Sequence, residues 1–119
     1  MPERVTVRDD QQIIVVESWG KITREDLEHS LRSVLDFHRE KGYRNVLVDA
    51  TAEDQFPPVE DIFDFGNELA RVATLGIRFA IVASPKTAED LRFLETVAWN
   101  RGGLLQVFSR MEEALSWLS

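Results

Sequence analysis

Three apolar runs recur along the chain: Ile13-Ile14-Val15-Val16, Val46-Leu47-Val48 and Phe79-Ala80-Ile81-Val82. They are short and rich in β-branched residues, the pattern of strands buried on both faces. Between them lie longer stretches whose apolar residues recur at helical spacing. Strands covered on both sides and alternating with helices leave few folds open. The simplest is a mostly parallel sheet joined by right-handed crossovers.

The other segments extend this pattern. Arg4 to Arg8 alternates Val5 and Val7 with polar residues, so it reads as a half-exposed strand. Asp9-Asp10 turns it into a second strand, Gln12 to Trp19, as a hairpin. Trp19-Gly20-Lys21-Ile22 is read as leaving the sheet. Thr23 with Asp26 resembles a capping box, and Leu27, Leu31, Val34, Leu35 and His38 share one face of the helix that Gly42 ends. The central strand, Arg44 to Asp49, runs into a polar loop that reaches Pro57-Pro58.

A second helix begins near Pro58, with Glu60 and Asp61 in its first turn. Val59, Ile62, Phe63, Gly66, Leu69, Ala70 and Ala73 form its expected apolar face, and Gly76 closes it. Ile77 to Ala83 is the next strand. Ser84-Pro85 opens a third helix that turns Leu91, Leu94, Val97 and Ala98 inward and stops at Gly102-Gly103. Leu104 to Phe108 is the last strand. Ser109 with Glu112 reads as a second capping box, before a short helix with Met111, Ala114, Leu115 and Leu118 inward. The expected fold is α/β, a mixed, mostly parallel five-stranded sheet in the order β-β-α-β-α-β-α-β-α. The first strand is antiparallel at the edge, and residues 1–119 form one domain.

Composition narrows the function. A chain of 119 residues can bury roughly two-thirds of its unfolded surface without a disulfide or metal. A net charge of −7 argues against nucleic acid, which demands clustered Lys and Arg. With no cysteine, disulfide and thiolate chemistry are excluded. No apolar run approaches eighteen residues and no basic-then-apolar leader is present, so no integral membrane segment is expected and a cytoplasmic location is.

Three segments carry a family resemblance: Trp19-Gly20-Lys21-Ile22-Thr23, Val46-Leu47-Val48-Asp49, and the tail from Val107-Phe108 through Glu112-Glu113-Ala114-Leu115-Ser116-Trp117-Leu118. Together with the element order they resemble STAS domains, and more closely the small bacterial STAS-like (SpoIIAA-like) proteins, related in fold to lipid-binding CRAL-TRIO domains. The resemblance implies a (βα) superhelix that needs no cofactor. It also implies a site, because the best-known members are switched by phosphorylation of a Ser in an Asp-Ser-Ser-Gly-like motif after the third strand. Here that stretch is Asp49-Ala50-Thr51-Ala52-Glu53-Asp54-Gln55-Phe56-Pro57-Pro58, which has no Ser. Thr51 is its only hydroxyl, and Glu53 and Asp54 add like charge that opposes a phosphate.

Candidate chemistry is sparse. Asp49 reads either as a ligand-binding or acid/base carboxylate at the carboxyl edge of the sheet, or as an acceptor for its own loop, and the second is favoured. Ser84 could join Pro85-Lys86-Thr87 in holding an anion, although a simple N-cap is favoured. His29 falls on the outer side of its helix and His38 on the apolar stripe, and neither shows metal-ligand spacing. A receiver-domain reading fails, because Asp9-Asp10 lies in the hairpin turn and no Lys follows Phe108.

The aromatics are more informative. Phe65 and Phe93 flank the inner faces of their helices, whereas Trp99 points away from the Leu91/Leu94/Val97/Ala98 face. A lone Trp on an outer helical face suggests an interface or ligand. In the (βα) superhelix that the resemblance implies, with consecutive strand order, the helices fall mainly on one face of the sheet. The second face must then be covered by the terminal helices, a second subunit or a lipid-like ligand. Phe63, Phe65, Gly66 and Phe93 mark an expected apolar groove, and Glu53-Asp54 with Phe56-Pro57-Pro58 an expected contact surface. The expected function is a non-enzymatic binding or regulatory module, a possible homodimer, for a regulatory protein or a lipid-like small molecule. Its surface would include Asp49, Thr51, Phe56, Phe63, Phe65, Ser84, Phe93 and Trp99, with no cofactor or metal. The alternative is a small enzyme using Asp49 as acid/base.

Overall fold

A computed structural model describes residues 2–119. Five strands and four helices follow in order: β1 (Glu3–Arg8), β2 (Ile13–Lys21), α1 (Arg24–Lys41), β3 (Asn45–Gln55), α2 (Val59–Val72), β4 (Arg78–Ala83), α3 (Ala88–Asn100), β5 (Leu105–Phe108) and α4 (Met111–Leu118). The strands lie side by side in sequence order. β1 pairs antiparallel with β2, and β2 through β5 are parallel. The fold class, the element order and the antiparallel edge strand are those expected.

Strand alternation divides the core into two layers. Ile14, Val16, Val46, Ala50, Phe79 and Ile81 meet α1, α2 and α3, whereas Ile13, Val15, Leu47, Ala80 and Val82 meet Ala114 and Leu118 of α4. The last helix thus supplies the cover that the second face required. Thr23 caps α1 in a complete capping box with Asp26, and Gly42 ends it in the left-handed conformation.

Several expectations need correcting. β2 and β3 do not stop at Trp19 and Asp49; they continue as a paired ribbon to Lys21 and Gln55. The polar loop expected after Asp49 is therefore mostly strand. α3 begins at Ala88, and a turn occupies residues 84–87, so Ser84 is not an N-cap. At α4 the capping position is Arg110, with no side-chain cap from Ser109. α2 is rotated from the expected face: Phe65 and Val72 are buried, while Val59 and Phe63 are exposed. The rotation follows from Gly66, where an added Cβ would lie 2.5 Å from Val97 Cγ1. Only a glycine lets α2 sit this close to α3, and that contact fixes which residues turn inward.

Candidate functional site

The ribbon formed by the ends of β2 and β3 contains two register shifts. Glu17 faces Asp49 but Trp19 faces Ala52, and Gly20 faces Glu53 but Lys21 faces Gln55. β3 therefore carries an extra residue at each shift. A strand's side chains alternate faces, so one inserted residue reverses all that follow. Regular alternation from Ala50 would turn Ala52 and Asp54 into the core. The first bulge instead turns Glu53 in, and only 3% of it stays exposed.

Hydroxyls gather around that carboxyl. Ser18 Oγ donates to Glu53 Oε2 at 2.6 Å, and Thr87 Oγ1 lies 3.4 Å from Oε1. Ser84 Oγ donates to the backbone carbonyl of Glu53 at 2.9 Å and lies 3.3 Å from Thr87 Oγ1. The cluster ties β2, β3 and the β4–α3 turn together at the carboxyl edge of the sheet. Among the described residues, no buried side-chain nitrogen or oxygen lacks a hydrogen-bond partner.

Glu53 and Ser18 also border a small cavity of about 60 Å³, walled by apolar residues including Val16, Leu31, Phe65, Leu69 and Leu94. Glu3 and Ser30 line it as well. The Glu3 carboxylate accepts from Ser30 Oγ at 2.5 Å and lies 2.9 Å from His29 Nδ1. A space of this size suits a few waters, not an acyl chain. Burial pushes the Glu53 carboxyl up to about 7. Hydrogen bonds from Ser18 and Thr87 pull it down in part, and the charge of Asp49 adds to the rise.

The other expected site residues lie in separate places. Asp49 Oδ1 accepts from Thr51 N at 3.1 Å and Thr51 Oγ1 at 2.6 Å, so it serves as an acceptor for its own strand. Asp54 is exposed and receives Lys86 Nζ at 2.9 Å. Phe56 and Phe65 are buried in the main core and cannot contribute to a surface. Phe63, Phe93 and Trp99 are 40%, 39% and 50% exposed. The Arg101 guanidinium lies 5.1 Å from the centre of the Phe63 ring, so the end of α3 and Phe63 share one surface. Trp99 Nε1 donates to the carbonyl of Leu105, which holds its exposed ring in place. His38 Nδ1 lies 2.8 Å from the Tyr43 carbonyl oxygen.

Among the described residues, no three His, Cys, Asp or Glu side chains are placed to hold a metal, and no helix is long and apolar enough to cross a membrane. Ser18, Glu53 and Thr87 went unrecognised in the sequence as a group. Their meeting depends on the bulge, and the available signals were Gly20 beside a polar strand end and an acid followed by two other polar residues, Asp54 and Gln55.

No protein-family model matches the chain, and a comparison with curated proteins found no match. Solved structures do match. An uncharacterized protein of the DUF3478 family from Shewanella loihica PV-4, described as having a SpoIIAA-like fold, is 21% identical with a TM-score of 0.60; the match covers 98% of this chain and 92% of that one. The protein TM1081 gives 15% identity and a TM-score of 0.65, over 96% of this chain and 86% of its own. The anti-sigma factor antagonist SpoIIAA in its unphosphorylated form gives 12% and 0.58, over 97% and 96%. Likeness along almost the whole of each chain shows that this chain has the SpoIIAA-like α/β fold.

Proposed function

We propose that the chain is a regulatory binding module that works by protein contact, through the outer surface of α2 and α3. The observation that carries this reading is that these two helices leave aromatics in solvent: Phe63 with Arg101 over its ring, Phe93, and Trp99 on the side towards β5. Exposed aromatics and Arg are the residue types that dominate protein interfaces. The Trp99 ring is already held by its bond to Leu105, so ordering it on binding costs little entropy. The fold shared with an anti-sigma factor antagonist fits a regulatory role.

The other readings draw less support. Asp49, the carboxylate of the enzyme alternative, is engaged by Thr51, and no His, Lys or Arg is hydrogen-bonded to it. A lipid-like ligand would need α1 to α3 to move apart, because the cavity beneath them is only about 60 Å³. A homodimer would use the same aromatic surface.

The test compares wild type with a Phe63→Ser, Phe93→Ser double variant, both as the full chain. Light scattering behind size exclusion gives the assembly state, and quantitative affinity purification from the source extract gives the partner. The double variant is expected to keep its melting temperature and lose at least tenfold of a stoichiometric partner. Retention of that partner, or its loss on Asp49→Asn instead, sinks the reading. A wild-type dimer that the double variant dissociates would make a second copy the occupant.

A further inference from the structure

Glu53 is a buried acid with no cation hydrogen-bonded or ion-paired to it among the described residues. Among the described residues, Glu3 is the only other charged side chain lining the cavity, and it is itself an acid held by Ser30 and placed beside His29. The residues that α1, α2 and α3 contribute to the lining carry no charge. Asp49, on the same strand, is a second like charge. The turn next to Glu53 does carry Lys86, but its ammonium is engaged by Asp54 on the surface. Ser18 and Thr87 can donate to a negative Glu53, but among the described residues no cation neutralises it and burial outweighs the two bonds, so its neutral form is favoured up to about 7.

The hydroxyls around it fit that neutral form. Glu53 Oε1–H can donate to Thr87 Oγ1, Thr87 to Ser84 Oγ, and Ser84 to the Glu53 carbonyl, while Ser18 donates to Oε2. Each hydroxyl then donates once, and the chain closes on the residue where it began. Removing the proton breaks this order. Thr87 must turn its hydrogen to Oε1, Ser84 keeps its own on the carbonyl, and the contact between the two hydroxyl oxygens is left without a hydrogen. The Thr87 bond to the carboxylate gains strength from the charge, but the Thr87–Ser84 bond is lost and a charge now stands against an apolar cavity, which favours opening of the turn to water.

We propose that Glu53 is a proton-operated latch: neutral, it ties the β4–α3 turn to β2 and β3, and ionised, it releases the turn and lets water reach the carboxylate. The proton passes to solvent through the opened turn. This stands independently of the docking surface on α2 and α3. The carboxyl is raised in the folded chain from an ordinary 4.5 to about 7. The folded state therefore binds a proton that the unfolded state has already lost. The stabilisation is fully present below about 4.5, falls as pH rises towards 7, and is gone above it.

Carbon-13 NMR of the glutamate carboxyls in the full chain, from pH 4 to 9, reads the proton directly. Hydrogen exchange of the amides from 84 to 91, corrected for its intrinsic pH dependence, reads the latch. Glu53 is expected to titrate near neutrality, and opening at Thr87 and Leu91 to increase about tenfold between pH 6 and 8. In Glu53→Gln, whose amide can both accept from Ser18 and donate to Thr87, opening is expected to stay flat over that range. A Glu53 midpoint below 5 overturns the proposal. So does titration near neutrality with unchanged protection, or the same increase in the Gln variant. If that variant does not fold, the two wild-type measurements decide alone.

Discussion

Asp49 and Glu53 sit four residues apart on β3, carry the same charge and meet opposite fates. Asp49 is partly exposed and turned away from α1 to α3, satisfied by the amide and hydroxyl of Thr51. Glu53 is 3% exposed, faces the cavity and meets hydroxyls from two other segments. In an unbroken strand, residues four apart share a face. The bulge between them separates these two. Residue type did not choose which acid would be buried; strand register did, and burial then set the chemistry each carboxyl can perform.

Four substitutions can break or sharpen this contrast. The largest effect is expected for Glu53→Lys, which places an unpaired cation in an apolar cavity and should cost about 3–5 kcal/mol of unfolding free energy in urea. Asp49→Lys, where water is at hand, should cost about 1 kcal/mol or less. Equal losses would mean that burial does not distinguish the two acids. Ser18→Ala comes next. It leaves Oε2 without its donor, at about 1–3 kcal/mol, and should move the Glu53 titration midpoint upward, since that bond now lowers it. An unmoved midpoint would mean that Ser18 does not act on the carboxyl. The smallest loss is expected for Thr51→Ala, about 0.5–1 kcal/mol, because Asp49 still accepts from the backbone amide. A larger loss than at Ser18 would mean that the exposed side of β3, not the buried one, carries the more important contact.

Much of the fold was legible. The alternation of apolar runs with helical stripes gave the strand and helix order, and Thr23 with Asp26 gave the start of α1. Periodicity was less reliable where two helices touch. The stripe through Val59 and Phe63 is nearly as apolar as the one through Phe65 and Val72. The absence of a side chain at Gly66 decides between them, because that residue must meet Val97. Ser84 and Ser109 looked like caps by spacing alone, yet neither caps a helix. Ser84 turns its hydroxyl to Glu53 across the sheet edge, a partner thirty-one residues away that no local pattern reveals.

The candidate site was legible only in its exposed half. Phe93 and Trp99 fell outside the inner stripe of α3 and do reach solvent. Glu53 and Phe56, read as surface residues in a polar loop, are buried.

The sequence by itself determined the α/β layering, the antiparallel edge strand and the lack of thiol chemistry, because these follow from periodicity and composition, which are local or additive. Tertiary structure decided which acid is buried, which face of α2 is inward and what covers the second side of the sheet. Each of those depends on a contact between segments distant in the chain: the shifted pairing of β2 with β3, the approach of α2 to α3, and the return of α4 across the strands. The energies that choose among such contacts belong to pairs of segments, so no stretch read alone contains them.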